Sequence, residues 1–250
     1  MHGESYRMIL VSLALRHNKM IDFKKLKNYT YIESHNYDGK TSYYGIFFNS
    51  NNESLIYYPV PKNANTSLKL FLLDHLGLLE NFNINFDKRQ SDFNGEEREI
   101  ERNFLDFIPL KQRYSPIPEN QGLIRMAVIR DPLKRFISSY KNRVLFHKDR
   151  HFGNLKVDEV LSILEDGYFA NTHFLPQSYF LGKNPKNFDL IKDVKNLGEI
   201  EERINKFFGQ KKKIPQLQTG GNEFELELNN KQIKRIKKIY SEDYELLQKL

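Results

Sequence analysis

Two stretches of the chain place cationic, hydroxyl and backbone donors where they could hold an anion. The first is Pro59-Val60-Pro61-Lys62-Asn63-Ala64-Asn65-Thr66-Ser67-Leu68. The apolar, aromatic run Ser54–Val60 before it reads as a buried strand, and Leu68–Leu76 after it reads as a helix ending at Gly77. A strand therefore ends, turns and enters a helix, whose first-turn N–H groups and positive dipole end favour phosphate-like anions. Lys62 adds a point charge, and Thr66 and Ser67 add hydroxyl donors. Asn63 and Asn65, on either side of Ala64, tolerate the left-handed backbone that would wrap a loop round an anion. An ordinary capped helix would use the same residue types, so this stretch leaves both readings open. It lacks the G-x-x-x-x-G-K-[ST] pattern of a triphosphate loop: there is no glycine, and Gly39-Lys40-Thr41 has Ser34 where the first glycine belongs. A compact single anionic group fits better than a triphosphate with magnesium.

The second stretch is Val128-Ile129-Arg130-Asp131-Pro132-Leu133-Lys134-Arg135-Phe136-Ile137-Ser138-Ser139-Tyr140. Arg130 stands at the carboxyl end of a strand read over Leu123–Ile129, and its planar fork suits bidentate phosphate recognition. Asp131 as N-cap and Pro132 at the first helical position start a helix. Leu133, Phe136, Ile137, Tyr140 and Val144 form its apolar stripe. Ser138 lies about 140° from Leu133, off that stripe, where it could share a phosphate with Arg130. Arg135 either lines the same groove or stands on the surface.

The elements that must position these turns recur as strand, loop, helix. A short strand reads over Tyr43–Phe48, a charged helix near Glu96–Phe107, and a helix over Val157–Glu165. A strand at Asp189–Ile191, a helix at Ile200–Phe208 and a long amphipathic helix over Asn230–Leu250 follow. This order predicts an α/β fold with a central, mainly parallel sheet flanked by helices, with ligands at the carboxyl ends of the strands. No repeat or linker divides the chain, so residues 1–250 read as one domain, with 1–54 an N-terminal extension packed on it. The chain has 250 residues, 39% hydrophobic, and no cysteine. That excludes a wholly disordered chain, disulfide scaffolds, cysteine nucleophiles and thiolate zinc sites. No run approaches the ~20 apolar residues of a membrane span, and Met8–Leu15 is short and broken by Ser12. A soluble, cytoplasmic protein is expected. The net charge of +7 calls for anionic partners. The run Lys231, Lys234, Arg235, Lys237 and Lys238 is either a solvated face or a polyanion contact.

Taken together, the two turns resemble the carbohydrate sulfotransferases, the group typified by the chondroitin enzymes. Pro61–Ser67 looks like their 5′-phosphosulfate loop. Arg130-Asp131-Pro132-Leu133-Lys134-Arg135 with Ser138 and Tyr140 looks like their 3′-phosphate motif. Downstream, His173-Phe174-Leu175-Pro176-Gln177 is similar to a His-x-x-Pro-Gln segment, and Phe188–Ile191 through Asn196-Leu197 to a later strand and turn. Tyr240-Ser241-Glu242-Asp243-Tyr244 is similar to a C-terminal Tyr-x-x-Asp-Tyr helix. The likeness runs in order from about residue 55 to the end. It implies a three-layer, P-loop-like fold and sulfuryl transfer from 3′-phosphoadenosine 5′-phosphosulfate (PAPS) to a hydroxyl of a carbohydrate or polysaccharide. The donor would be held by Lys62, Asn63, Ala64, Asn65, Thr66, Ser67, Arg130 and Ser138, without a metal and without nucleic acid as partner. The chain lacks the membrane anchor and cysteines of the Golgi enzymes, which implies a soluble, bacterial-type member.

In this chemistry Lys62 would meet the charge building on the leaving phosphate oxygen. A general base should take the acceptor proton. Of seven histidines, His173 is the candidate because it opens a matched segment, as a base or as a structural, acceptor-positioning residue. A carboxylate from residues 80–107 is the alternative base. His2, His17, His147 and His151 read as surface, and His75 lies too far along its helix. Two other classes compete: a nucleotide or phosphate kinase using the same anion loop, and a non-catalytic polyanion-binding protein.

Overall fold

The computed structural model describes residues 31–36, 42–49, 53–75, 123–217 and 223–250. The helix expected near Glu96–Phe107, the run Met8–Leu15, the Gly77 helix end and the carboxylates of 80–107 lie outside the described residues.

Five strands form one sheet in chain order: β1 (Tyr31–Asn36), β2 (Ser42–Asn49), β3 (Ser54–Tyr58), β4 (Leu123–Ile129) and β5 (Leu190–Asp193). β3, β4 and β5 are parallel, with Tyr57 opposite Met126 and Ala127 opposite Ile191. β1 and β2 extend this unit antiparallel. Only residues 50–53 join β2 to β3, too few for the crossover that a parallel pairing needs. The sheet is thus mixed, parallel around the two anion turns and antiparallel at the edge drawn from the expected extension.

The described helices are α1 (Asn65–His75), α2 (Pro132–Tyr140), α3 (Val157–Glu165), α4 (Gln177–Leu181), α5 (Gly198–Phe208), α6 (Asn230–Ile239) and α7 (Ser241–Gln248). Alternate residues of a strand face opposite sides of a sheet. Leu55, Tyr57, Met126 and Val128 accordingly pack with α1 and α5, through Leu68, Phe71, Leu72, Ile200 and Ile204. Ile56, Tyr58, Ala127 and Ile129 pack on the other side against Phe180 and Leu181 of α4 and Leu246 of α7. Burial on both faces explains why β3 and β4 read as nearly continuous apolar runs. The result is an α/β fold with helices on both faces.

A third apolar cluster joins α2, α3 and α6 through Phe136, Tyr140, Val160, Leu161, Ile236 and Tyr240, with Phe152 and Phe174 from the loops. α2 does not stop at Tyr140 but loosens into a π-helical turn, Lys141–Phe146. The C-terminal segment expected as one helix is two, because Tyr240 leaves helical geometry at φ −104°, ψ 29°. Its ring is buried in this cluster and its hydroxyl donates to the Phe174 carbonyl at 2.8 Å. The break turns α7 onto the sheet. Arg235 is not part of a solvated run: it clamps α6 to α3 through Asp158 and Glu165.

Candidate anion-binding site

The first turn leaves β3 at Tyr58 and enters α1 at Asn65. Two of its residues are left-handed, Lys62 at φ 72° and Ala64 at φ 55°. The sequence pointed to Asn63 and Asn65 instead. Asn63 keeps a negative φ because its side chain is a buried clamp: Nδ2 donates to the Val128 carbonyl (2.8 Å) and to Gln177 Oε1 (2.6 Å). Left-handed residues on either side of Asn63 alternate the sign of φ, the geometry that gathers backbone N–H groups into an anion-binding concavity. Holding two residues with a Cβ there costs on the order of 1–2 kcal/mol each, so the surroundings must over-determine the turn.

They do so through buried side chains. Arg135, only 2% exposed, donates from Nε to the Pro61 carbonyl (2.9 Å) and from Nη1 to the Leu175 carbonyl (2.6 Å). Arg130 Nη1 donates to the Lys62 carbonyl at 3.1 Å. Gln177 ties both turns together: Oε1 accepts from Asn63 Nδ2 and from the Arg130 amide (2.9 Å), and Nε2 donates to the Arg130 carbonyl (2.8 Å). Asp243 fixes Gln177 in turn, accepting from the amides of Gln177 and Ser178, each at 2.8 Å. Burial raises the Asp243 carboxyl, against those hydrogen bonds and the Arg135 charge. Two segments singled out only by resemblance, His173–Gln177 and Tyr240–Tyr244, therefore hold the anion turns in place.

The second turn begins as its sequence indicates. Asp131 Oδ1 accepts from the Lys134 amide at 2.8 Å, and Pro132 occupies the first helical position. Ser138 is half-buried with its hydroxyl unengaged among the described residues. Its neighbour Ser139 is buried and donates to the His173 carbonyl at 2.8 Å. Thr66 and Ser67 are half-buried at the first turn of α1. The first described backbone bond of that helix runs from the Leu68 amide to the Ala64 carbonyl, 3.0 Å. The amides of Ala64, Asn65, Thr66 and Ser67 are therefore the unspent donors of the helix start.

Lys62 is desolvated and faces Arg143, Arg130 and Arg135. Burial and their repulsion hold its ammonium pKa down at about 7. Arg130, Arg135 and Arg143 are lowered as well, burial being the main cause in each. Elsewhere several cations are paired: Lys183 with Glu242, Lys192 with Glu199, Arg203 with Glu53 and Lys212 with Asp74. Among the described residues, none of Lys62, Arg130, Arg135 and Arg143 has a carboxylate at ion-pair distance. A desolvated cluster of like charge costs stability unless an anion completes it.

His173 sits in the same cluster. Asn171 Nδ2 donates to Asp149 Oδ2 (2.8 Å), so Asn171 Oδ1 is an acceptor, taking the His173 amide (2.9 Å) and Nδ1 (2.8 Å). The imidazole proton is therefore on Nδ1, and Nε2 accepts from Arg143 Nη2 at 2.9 Å, since a guanidinium can only donate. Burial, then Arg143, Lys62, Arg135 and His147, push the His173 pKa well below its ordinary value. The base role expected for His173 thus meets an imidazole whose lone pair is already engaged and whose charged form would face a cluster of cations. His75 lies at the far end of α1, buried between Phe71 and Phe208, away from the turns. His147 and His151 are exposed, and Lys62, Asn63, Ala64, Asn65, Thr66, Ser67, Arg130, Ser138 and His173 are all on the two turns or the segment packed on them.

Among the described residues, the two turns at the ends of parallel β3 and β4 are thus left positively charged. No curated protein and no solved structure matched the chain. The family model described as "Sulfotransferase family" matches residues 46–249, a span that takes in both turns, His173, Gln177 and Asp243. The chain belongs to the sulfotransferase family.

Proposed function

We propose that the chain transfers the sulfuryl group of PAPS to a hydroxyl of a carbohydrate or polysaccharide acceptor. The observation that carries this reading is the cluster of Lys62, Arg130, Arg135 and Arg143 around two strand-to-helix turns, without a carboxylate among the described residues to neutralise it. The donor has two anionic ends, and the two turns offer two places for them. Arg130, with the unengaged hydroxyl of Ser138, would hold the 3′-phosphate. Lys62, Thr66, Ser67 and the amides of Ala64–Ser67 would hold the phosphosulfate. The fold around them is read as P-loop-like in its layering, with a glycine-free anion loop.

When bound, the donor supplies a sulfuryl group on a phosphate leaving oxygen. The acceptor oxygen–sulfur bond would form as the sulfur–phosphate oxygen bond breaks, the electron pair passing to the phosphate and the hydroxyl proton to a general base, for which a carboxylate of residues 80–107 is the candidate left once Arg143 engages His173 Nε2. Lys62, recharged by the anion it meets, neutralises that oxygen, and preorganised donors of this kind typically contribute about 100- to 1000-fold. Arg130 and Ser138 set the register of the nucleotide, so that attack runs in line. Arg135 and Gln177 act from below by holding the loop carbonyls and amides that aim these donors. The carbohydrate acceptor rests on the likeness of His173–Gln177 and Tyr240–Tyr244 to segments of carbohydrate sulfotransferases.

Thermal shift separates the classes. Adenosine 3′,5′-bisphosphate should raise the melting temperature and ATP with magnesium should not. Preference for ATP would make the chain a kinase, and a response to heparin alone a polyanion binder.

A further inference from the structure

Arg143 is on neither of the two turns. It lies on the π-helical turn that continues α2, the kind of local unwinding that often re-aims a side chain at a functional site. Arg135 bonds both the Pro61 carbonyl, next to Lys62, and the Leu175 carbonyl, two residues from His173, so Arg143, bonded to His173 and facing the Lys62 ammonium, stands beside the phosphosulfate turn. Of its five N–H donors, one has a partner among the described residues. Nη2 donates to His173 Nε2, while Nε is buried with no partner among the described residues. A guanidinium desolvated, without a carboxylate at ion-pair distance and with a buried donor unfilled is built to receive an anion.

The groups holding Arg143 form a closed ring. Asp149 accepts from Asn171, Asn171 accepts from His173 Nδ1, His173 Nε2 accepts from Arg143, and the Asp149 amide donates back to the Arg143 carbonyl at 2.8 Å. His173 is further fixed by Ser139, whose hydroxyl donates to its carbonyl. The charged and titratable groups facing this imidazole are Arg143 from the π-helical turn, Lys62 from the first anion turn, Arg135 from α2 and His147 from the following loop.

We infer that Arg143 is a sulfuryl-binding residue of this site, and that His173, as a neutral acceptor, is the positioning residue that aims it. This rests on the PAPS reading above. It predicts a difference between two ligands. PAPS carries the sulfuryl group and adenosine 3′,5′-bisphosphate does not, so only the first should sense Arg143.

Calorimetric titration of both nucleotides into four forms of the chain tests it: wild type, Arg143→Gln, His173→Gln and His173→Phe. Without its charge-assisted hydrogen bond to the sulfuryl group, Arg143→Gln should bind PAPS about 10- to 100-fold more weakly. Binding of the bisphosphate should stay within about threefold. Gln at 173 can still present an acceptor oxygen to Arg143 but cannot serve as a base. His173→Gln should therefore keep most of the PAPS affinity, and His173→Phe should behave like Arg143→Gln. Arg143→Lys, which keeps the charge and loses the fork, should fall between and serves if the glutamine variant does not fold. Equal losses for the two nucleotides in Arg143→Gln, or no loss for either, would overturn the sulfuryl assignment. Two His173 variants that bind PAPS alike would overturn the positioning role. A wild-type chain that binds neither nucleotide would overturn the PAPS reading, and this inference with it.

Discussion

Donor binding should draw a proton onto the protein, and Lys62 is the group that takes it. Burial and three guanidiniums hold the Lys62 pKa near 7. At pH 8 an amine of that pKa is roughly one-tenth protonated, and a bound phosphate dianion restores the ordinary charged state, so binding takes up ~0.9 proton. At pH 7 the uptake is about half a proton, and below pH 6 it vanishes because Lys62 is already charged. Affinity should fall by up to about tenfold per pH step above 7, since the deprotonated form must first be charged. The assay is calorimetric titration of adenosine 3′,5′-bisphosphate at pH 8 in buffers of different ionisation enthalpy, where the slope of observed heat against buffer enthalpy counts protons. At pH 8 the ligand's own phosphates, with second pKa values near 6, are almost fully ionised and add next to nothing. Lys62→Arg, always charged, should bind with no uptake. Binding by the wild type at pH 8 with zero proton uptake would refute the reasoning.

Three other perturbations probe the same site. Lys62→Met should stabilise the ligand-free protein by about 2 kcal/mol at pH 6, where a desolvated ammonium is retained at a cost, read as a higher denaturation midpoint. The wild-type stability should rise with pH above 7, because the unfolded lysine still binds a proton that the folded one has released. Arg130→Ala should weaken bisphosphate binding by about tenfold or more and lower turnover at saturating donor much less, since a contact to a non-reacting phosphate is uniform binding; unchanged affinity in a folded variant removes Arg130 from the 3′-phosphate. Gln177→Leu strands one N–H of the Asn63 amide and both backbone groups of Arg130, and should cost about 2–4 kcal/mol, with loss of nucleotide binding through the misplaced turns; a variant as stable as wild type would dismiss its bracing role.

The strand-to-helix turns were legible because their signals are local. A buried apolar run, Asp131 followed by Pro132, and Lys62 ahead of Thr66 and Ser67 need no tertiary knowledge. What escaped the sequence depends on partners far along the chain. Arg135 stands on the same helix as exposed Lys134, and only the Pro61 and Leu175 carbonyls explain why it turns inward. The left-handed residues are Lys62 and Ala64 because Asn63 is spent on Val128 and Gln177, a choice no propensity contains. Arg143 was missed because a 3.6-residue template continues α2 straight on, whereas the chain unwinds into a π-helical turn at Lys141. The break at Tyr240 was invisible for the same kind of reason: Asn230–Leu250 keeps its amphipathic period, and the Tyr240 bond to Phe174 decides the bend.

The measurement that meets the central claim most directly is transfer of label from sulfur-labelled PAPS. Purified chain is incubated with the donor and a panel of capsular and cell-surface glycans, with Lys62→Ala alongside. Label should enter a glycan fraction in step with release of adenosine 3′,5′-bisphosphate, and Lys62→Ala should lower the rate by about 100- to 1000-fold. Glycan labelling at the same rate in both forms, or a wild-type chain that neither binds the donor nor releases the bisphosphate, would contradict the account.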